Sequence, residues 1–417
     1  MQIGPITKCQ CCSAAPLESI LFVGYLPPVN TMPKTGQPLD EQPGYPLELV
    51  RCPVCSLAQI NFVVRPDILF PPDYPYTTGT TRILRENFAQ LAEEATALLG
   101  LKTNQLVVDI GSNDGTLLSN FHKRGHPVLG VEPTDKSQLA NAAGIRSWTR
   151  FFNGDCARQV VKELGHPALV TAANVFAHIP NPVGIVAAIA EMIGEDGVFI
   201  NESHYFMSLV ETLQYDTIYH EHLRHYSLKS MMHLLAAAGL RVFNVKTIPT
   251  HGGSIRVYAS RNKKYVANES VARQLAAEEK FGLDTKPRLQ RFAREVFQSK
   301  SDLLVMLGQV RAKGHRVFAI GAPSRASTLI NYCGLDRSLV DAVMEVGGSH
   351  KIGKLMPGCD IPVENEERLY REQPEYALLF SWHIAEELIP NLVKRGFKGD
   401  FIVPLPQPRI VRNPSKA

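Results

Sequence analysis

The stretch of the sequence richest in reactive side chains is YDTIYHEHLRHYS, residues 215–227. Its ionisable members include Tyr219, His220, Glu221, His222 and His225, so three of the chain's 13 histidines lie in it. An imidazole changes charge near the working pH and can both accept and donate a proton. The stretch is therefore predicted to move a proton or to stabilise a developing negative charge.

The cysteines are a second group of reactive side chains, and five of the 8 precede residue 56. They include two C-x-x-C pairs, Cys9 with Cys12 and Cys52 with Cys55. Each pair can aim two thiolates at one tetrahedral ion, and four thiolates suit Zn²⁺. A redox role would need a single motif beside a βαβ unit, and Cys11 could replace a neighbouring ligand. We predict a structural zinc site with no open position for catalysis.

Length and composition bound the class of protein. The 417 residues exceed one typical core, so two or three domains are expected. A hydrophobic content of 45%, a charged content of 20% and a net charge of +4 describe an ordinary globular chain and give little support for nucleic-acid binding. No apolar run reaches about 18 residues, and the start is not typical of a secretory signal. We expect a cytoplasmic protein with reduced cysteines.

A glycine turn between two buried strands predicts a nucleoside site. LVVDI reads as a strand, GSNDG as a turn, TLLSNF as a helix start and PVLGVEP as a second strand, which together indicate a doubly wound, Rossmann-like α/β sheet. Glycines let a ligand approach the backbone, and a strand-end carboxylate can accept ribose hydroxyls. Since Asn113 replaces a glycine of the dinucleotide motif, S-adenosylmethionine is favoured over nicotinamide. The predicted cofactor-binding residues are Asp109, Gly111, Ser112, Asn113, Gly115, Glu132, Pro133 and Asn174.

The same sheet must position the histidine-rich stretch. A buried strand precedes Asn174 and His178, which predicts that His178 faces the cleft at the carboxyl ends of the strands. The helix LKSMMHLLAAAGL and the strand RVFNVKTI follow the stretch itself. Residues 215–227 are therefore expected to form a loop over that edge of the sheet.

Four features in the same order resemble the sugar C-methyltransferases of deoxysugar biosynthesis: the twin C-x-x-C start, YPYTTGTT near residue 76, the run IYHEH and the later HGGSIR. These enzymes act on nucleotide-linked 4-keto sugars of antibiotics, and the resemblance covers nearly the whole chain. It implies that a base removes the hydrogen next to a ketone and that the enolate carbon takes the methyl group. The residues that match the family's active site are Tyr76, His178, Tyr219, Glu221 and His222.

The resemblance also suggests roles for these residues. His222 is expected to be the base, with Tyr219 and His178 holding the keto oxygen. Glu221 would orient an imidazole or bind a sugar substituent. His220 and His225 are expected to be structural.

Substrate contacts are expected from HGGSIR and from the last third of the chain. Gly252 and Gly253 would allow close backbone approach. The predicted substrate-binding residues are His251, Arg256 and Arg325, the two arginines through phosphate. A second Rossmann-like unit begins at HRVFAIGAPSRAST, where no acidic residue precedes Gly321, so no second cofactor is expected. The family usually has a lysine near Arg325 and an asparagine where this chain has His383.

These features combine into one hypothesis. Residues 1–70 form a zinc-binding domain, 71–270 a methyltransferase domain that binds S-adenosylmethionine, and 271–417 a Rossmann-like substrate-binding domain. The chain would be a C-methyltransferase acting on a small nucleotide-linked ketosugar, without nucleic-acid or membrane partners, as a monomer or weak homo-oligomer. O- or N-methylation is the alternative. A zinc-ribbon nucleic-acid binder would need a basic, aromatic face, but LDEQPGYPLELVR is partly acidic.

Overall fold

The computed structural model describes residues 3–38, 41–69, 78–80 and 82–416. The predicted active-site residue Tyr76 lies outside this part of the chain. Within it, none of the helices is long and apolar enough to cross a membrane.

The N-terminal region is an antiparallel β structure. Its elements are β1 (Gly4–Pro5), β2 (Glu18–Leu26), β3 (Tyr45–Arg51), β4 (Ala58–Ile60), β5 (Phe62–Val63) and the short helix α1 (Pro66–Leu69). Strands β2, β3 and β4 form a meander, and β1 pairs with β5. On β2, Leu21 and Val23 are buried whereas Phe22 and Tyr25 are exposed. This strand therefore has one face against the core and one face in water.

The middle region is an α/β sandwich. Its helices are α2 (Arg82–Leu99), α3 (Thr116–His122), α4 (Lys136–Ala142), α5 (Gly154–Leu164), α6 (Pro182–Ile193), α7 (Phe206–Glu211) and α8 (Leu228–Ala236). Its strands are β6 (Val107–Ile110), β7 (Val128–Glu132), β8 (Ser147–Thr149), β9 (Leu169–Ala173), β10 (Val198–His204), β11 (Arg224–His225), β12 (Arg241–Ile248) and β13 (Ser254–Ser260).

Seven of these strands form one sheet, in the order β12–β13–β10–β9–β6–β7–β8. Strands β6 to β10 run parallel to one another, and β13 is antiparallel to both of its neighbours. The parallel strands are almost continuously buried, because helices cover both faces of such a sheet. The predicted doubly wound architecture is therefore present, and the antiparallel β13 is an addition that the sequence did not reveal.

Strand β11 lies in a different sheet from the rest of the middle region. Arg224 pairs with Gln59 and His225 with Ala58, so β11 extends the N-terminal sheet beyond β4. The histidine-rich stretch is thus fixed at its end to the N-terminal region and is more than a loop over the carboxyl edge of the middle sheet.

Two long helices lead to the C-terminal region. They are α9 (Glu269–Phe281) and α10 (Lys286–Ala312). The remaining elements are β14 (Val317–Ile320), α11 (Ser324–Cys333), β15 (Ala342–Glu345), β16 (Lys354–Leu355), β17 (Pro362–Asn365), α12 (Glu367–Glu372), β18 (Tyr376–Leu379), α13 (Ala385–Lys394), β19 (Asp400–Val403) and β20 (Arg409–Val411).

The C-terminal sheet has the order β16–β17–β15–β14–β18–β19–β20, with the five central strands parallel. This is the Rossmann-like unit predicted for the region. The sequence reading missed β17. At the turn after β14, the Ala322 N–H donates to Glu345 Oε2 (2.9 Å). The Asn113 N–H makes the same kind of bond with Glu132 in the middle sheet (3.0 Å).

Candidate functional site

The four predicted zinc ligands converge on one point. The Sγ atoms of Cys9 and Cys55 are 3.5 Å apart, as are those of Cys12 and Cys52. All four sulfur atoms lie within 4.8 Å of one another. Cys11 is not one of the four, and its N–H donates to Cys9 Sγ (3.4 Å). Four converging sulfur ligands fit a tetrahedral Zn²⁺ site.

We predict one zinc ion per chain in protein purified without added metal. Four thiolates fill the tetrahedral coordination shell, so the ion should resist mild dialysis and should be lost with a strong chelator together with folded structure. Metal analysis by mass spectrometry would measure the ratio. A ratio near zero in folded, active protein would contradict the prediction.

The carboxyl edge of the middle sheet carries an acidic strand end suited to a nucleoside. Glu132, at the end of β7, accepts hydrogen bonds from the Asn113 N–H (3.0 Å), the Thr134 N–H (2.9 Å) and the Thr134 hydroxyl (2.7 Å). A carboxylate has about four lone-pair sites, so it can accept a further donor. Asn174 follows β9 with φ of 58°, and its buried Oδ1 has no hydrogen-bond partner among the described residues. These acceptors fit the predicted S-adenosylmethionine.

Other predicted cofactor residues are held by packing within the sheet. Asp109 is buried and accepts a hydrogen bond from Thr171 Oγ1 (2.6 Å), and burial raises the pKa of its carboxyl to about 7. A Cβ added to Gly130 of β7 would lie 2.3 Å from Ser112 Oγ. The Ser112 side chain therefore faces the neighbouring strand instead of the cleft. Pro133 directly follows Glu132.

Backbone conformation and packing require glycine at both positions of the turn, independently of any ligand. Gly111 has φ of 70°, and a Cβ there would lie 2.4 Å from Val175 Cγ2. Gly115 has φ of 77°, and its Cβ would lie 3.0 Å from Ile145 Cγ2. A side chain at either position would disturb packing as well as any ligand, so a substitution here cannot report on cofactor binding alone.

The turn after β6 also binds the segment that precedes α2. Asn113 Oδ1 accepts from the Thr78 N–H (2.9 Å), and Asp114 Oδ2 accepts from the Gly79 N–H (2.8 Å). The Asn113 and Asp114 side chains therefore hold neighbouring protein backbone. The role of Asp114 was not predicted from the sequence.

His222 and Tyr219 form the centre of the histidine-rich stretch. His222 Nδ1 lies 2.8 Å from the Thr217 carbonyl oxygen, which can only accept. In the neutral imidazole the proton is therefore on Nδ1 and the lone pair on Nε2. That Nε2 lies 3.0 Å from the Tyr219 hydroxyl, which can donate to it. The arrangement presents a neutral base beside a hydroxyl donor.

His178 joins this centre from the loop after β9. Its ring centroid lies 5.0 Å from that of His222. His178 Nδ1 lies 2.8 Å from the Glu221 carbonyl oxygen, which fixes the lone pair on its Nε2 by the same reasoning. The backbone carbonyl of Glu221 thus orients the His178 imidazole. The Glu221 carboxylate instead accepts from Asn30 Nδ2 of the N-terminal region (2.7 Å).

The structure adds His204 to this cluster, and the sequence reading missed it. His204 ends β10, and its ring centroid lies 5.6 Å from those of both His222 and His251. Its position at the carboxyl end of a predicted strand was a signal that could have identified it. His251 has φ of 57°, and its buried Nε2 has no hydrogen-bond partner among the described residues. A row of imidazoles therefore connects the middle sheet with the HGGSIR turn.

The glycines of that turn approach protein and not an open site. A Cβ on Gly252 would lie 2.5 Å from Gln214 Oε1, and one on Gly253 would lie 2.4 Å from Ser208 Oγ. Gln214 Nε2 also donates to the Gly252 carbonyl (2.6 Å). The turn is thus fastened to the segment that leads into the histidine-rich stretch.

Burial keeps these imidazoles neutral. It is the main cause that lowers the pKa of His178, His225 and His251 to about 4, and it lowers that of His222 well below 6.5, with nearby His178 and His225 adding to the effect. His220, which bonds the Pro46 carbonyl through Nε2 (3.2 Å), also has its pKa lowered to about 4, mainly by burial. Neutral imidazoles retain the lone pair that a base needs.

Acid should destabilise the fold through these groups. Since the folded-state pKa values lie below 6.5, the unfolded chain binds protons first as the pH falls, and stability is lost from about pH 6.5 toward pH 4. For the buried His220 and His225, the free energy of unfolding should fall by about 1 kcal/mol for each group between pH 7 and pH 5.5. Urea unfolding at the two pH values would measure this.

Variants separate this contribution from other acid effects. His225→Gln should reduce the difference in unfolding free energy between the two pH values by about 1 kcal/mol. His122→Gln, at an exposed position, should leave that difference unchanged. Equal differences for His225→Gln and the wild type would contradict the prediction.

The expectation that Arg256 reaches a substrate phosphate is wrong. Arg256 has no exposed surface, and its guanidinium donates to Glu202 Oε2 (3.0 and 2.9 Å), Glu94 Oε2 (3.0 Å) and Asn87 Oδ1 (3.0 Å). It lies in the middle of β13, directly opposite Glu202 on β10. Its partners hold helix α2 against the sheet, so its role is structural.

Arg325 is also buried, with 7% of its surface exposed. Its Nε and Nη2 donate to the two carboxylate oxygens of Asp216 (2.7 and 2.9 Å), and its guanidinium stacks on Trp382 (4.9 Å to the ring centroid). Nη1 takes no part in that ion pair. Burial is the main cause that lowers the pKa of His383 to about 2, with smaller contributions from Arg325 and His251. A cation is thus held where the C-terminal region meets the histidine cluster.

Comparison with known proteins finds similarity along most of the chain. Three family models match it in succession: a zinc binding domain at residues 9–70, a methyltransferase domain at 82–245 and a C-methyltransferase C-terminal domain at 249–406. C-methyltransferase NovU of Streptomyces niveus is 30% identical over 414 residues, which cover 98% of each chain.

More distant relatives share part of the chain. A ubiquinone biosynthesis O-methyltransferase of Burkholderia thailandensis is 27% identical over 160 residues, covering 35% of this chain and 68% of that protein. A solved structure of magnesium protoporphyrin IX methyltransferase from Synechocystis is 16% identical, with a TM-score of 0.32, and covers 43% of this chain and 82% of the other.

Proposed function

Because the chain belongs to the family of S-adenosylmethionine-dependent C-methyltransferases with a zinc-binding domain and a C-terminal C-methyltransferase domain, we propose that it methylates the carbon next to the ketone of a nucleotide-linked 4-keto deoxysugar. The reaction would proceed through an enolate and would serve deoxysugar biosynthesis for antibiotics. The reduced thiols of a zinc site suit a cytoplasmic location.

The observation that carries this proposal is the pairing of His222 and Tyr219. C-methylation next to a ketone needs a base for the carbon-bound hydrogen and a donor for the enolate oxygen. His222 supplies a lone pair on Nε2, and Tyr219 supplies a hydroxyl 3.0 Å away. Methylation of an oxygen or nitrogen needs no such enolate donor, so this pairing favours C-methylation.

The proposed sequence of proton movements follows from these atoms. His222 Nε2 takes the hydrogen next to the ketone as a proton. Its Nδ1 continues to donate to the Thr217 carbonyl, and this hydrogen bond stabilises the positive ring. The Tyr219 hydroxyl, released from donating to Nε2, donates to the developing enolate oxygen. His178, whose neutral ring has its lone pair on Nε2, lies beside His222 and is proposed to line the same site.

Bound S-adenosylmethionine supplies an electrophilic methyl group to the enolate carbon. Glu132 and Asn174 are proposed to hold its nucleoside end at the carboxyl edge of β7 and β9. The buried side chains around the site are proposed to exclude water, which would otherwise protonate the enolate.

The nucleotide end of the substrate is proposed to lie toward the C-terminal region. Arg325 is fixed by Asp216 and Trp382 but retains Nη1 for a phosphate oxygen. His251, with its buried Nε2, lies between this cation and the histidine cluster. Its Nε2 is proposed to bind the sugar or the adjoining phosphate.

Product analysis tests the proposal. The protein would be incubated with methyl-labelled cofactor and a panel of nucleotide-linked sugars, each as the 4-keto compound and as its reduced alcohol. We expect label on carbon, shown by mass spectrometry and NMR, from keto compounds alone. Label on oxygen or nitrogen, or equal reaction of the alcohols, would overturn the proposed reaction.

A further inference from the structure

Arg224, next to the proposed catalytic stretch, is a buried cation outside the chemistry described so far. It is 1% exposed, and its polar partners are neutral: the Tyr226 hydroxyl (3.1 Å), Gln10 Oε1 (2.6 Å) and backbone carbonyls. No carboxylate forms an ion pair with it within the described part of the chain. A buried charge is costly unless it is compensated, so its position requires an explanation.

The carbonyls that Arg224 binds lie on both sides of His178. Its Nη2 donates to the carbonyls of Phe176 (3.3 Å) and Ile179. The Leu223 N–H, next in the chain to Arg224, donates to the Ala177 carbonyl (2.9 Å). The backbone of the His178 loop is thus clamped at three points by residues 223 and 224, while the His178 ring is held by the Glu221 carbonyl.

The Nη1 atom of Arg224 is held by the turn of Cys9–Cys12, which we call the zinc knuckle. Gln10, which accepts from Arg224 Nη1, lies between the ligands Cys9 and Cys12. The Gln10 N–H donates to the side chain of Gln59 (2.9 Å), and Gln59 is the strand partner of Arg224 in the β4–β11 pairing. Metal binding by the knuckle would therefore fix the position of Gln10 with respect to Arg224.

We infer that the zinc knuckle positions His178 through Gln10 and Arg224. Zinc held by four thiolates carries a net negative charge, which supplies the counter-charge that Arg224 lacks among its neighbours. Because the guanidinium is rigid and planar, holding Nη1 at Gln10 also fixes Nη2, which donates to two carbonyls of the His178 loop. Gln10 and Arg224 are positioning residues that act through His178, and the zinc site supports the active site as well as its own domain. This inference rests on the proposed role of His178.

The test uses zinc-loaded, full-length protein with Gln10→Ala or Arg224→Lys. Gln10→Ala removes the acceptor for Arg224, and Arg224→Lys keeps the charge but loses the fork. The measurements are zinc content, kcat and KM for methylation, and the titration of the His178 ring by NMR, assigned with His178→Gln. We expect one zinc per chain, a kcat lower by about 10–100-fold with a smaller change in KM, and a His178 pKa that rises from about 4 toward 6.5 as the loop opens to water.

Gln37→Ala is the matched control, because Gln37 is exposed in the same N-terminal region. It should match the wild type in every measurement. Wild-type kcat and an unchanged His178 titration in both zinc-loaded variants would overturn the inference. The NMR titration needs no substrate, so it decides the positioning role even if no ketosugar is methylated, a result that would refute the proposed function instead.

Discussion

His222→Ala should lower the methylation rate by about 10²–10⁴-fold, the usual contribution of a positioned general base. It should also abolish exchange of the hydrogen next to the ketone with deuterated water, because exchange needs the base but not the methyl donor. Affinity for S-adenosylmethionine should stay close to that of the wild type, since Glu132 at the end of β7 and Asn174 after β9 are unchanged. Mass spectrometry would follow both reactions, and calorimetry would measure cofactor affinity.

His220→Ala is the matched control for this experiment. His220 is two positions away, but its ring bonds the Pro46 carbonyl and packs edge-on against Tyr45 in the N-terminal region. Its loss should reduce stability while exchange per folded molecule continues. Wild-type exchange in His222→Ala would show that another group is the base, and His178 would be the first candidate.

Arg256→Met should lower the free energy of unfolding by about 3–5 kcal/mol, the usual result when one partner of a buried ion pair is removed. Glu202 has no exposed surface, and the change would leave its carboxylate without its cation. Burial already raises the pKa of Glu202, and Arg256 opposes that shift. The loss of stability should therefore be smaller at pH 5 than at pH 8, because Glu202 can then protonate. Chemical denaturation at both pH values would measure it.

Lys246→Met provides a control at Glu94, the second carboxylate that Arg256 binds. Lys246 also forms an ion pair with Glu94, but both of these side chains are partly exposed. Its removal should cost less than about 1 kcal/mol. Similar losses for Arg256→Met and Lys246→Met would contradict the structural role given to Arg256, and the phosphate-binding role would have to be reconsidered.

Local signals in the sequence were sufficient for several features. The spacing of the cysteines predicted the four sulfur atoms that converge in the structure, because each C-x-x-C turn fixes its own pair of ligands. Runs of buried residues around a glycine turn predicted β6, β7 and the Rossmann-like sheets. Glu132 could be placed at a strand end because the strand that carries it is short and apolar. Each of these inferences needs only residues that are neighbours in the chain.

The tertiary structure decided which side chains meet. Arg256 looked available for phosphate, but its register opposite Glu202 on the adjacent strand turns it into the protein interior. His204 and His251 belong to segments separate from the histidine-rich stretch. His204 lies beside His222, and His251 lies beside His204, because strand ends and a turn converge at one edge of the sheet. The pairing of Arg224 with Gln59 joins segments 165 residues apart in sequence number. Such contacts depend on strand order and register, which a pattern of neighbouring residues does not specify.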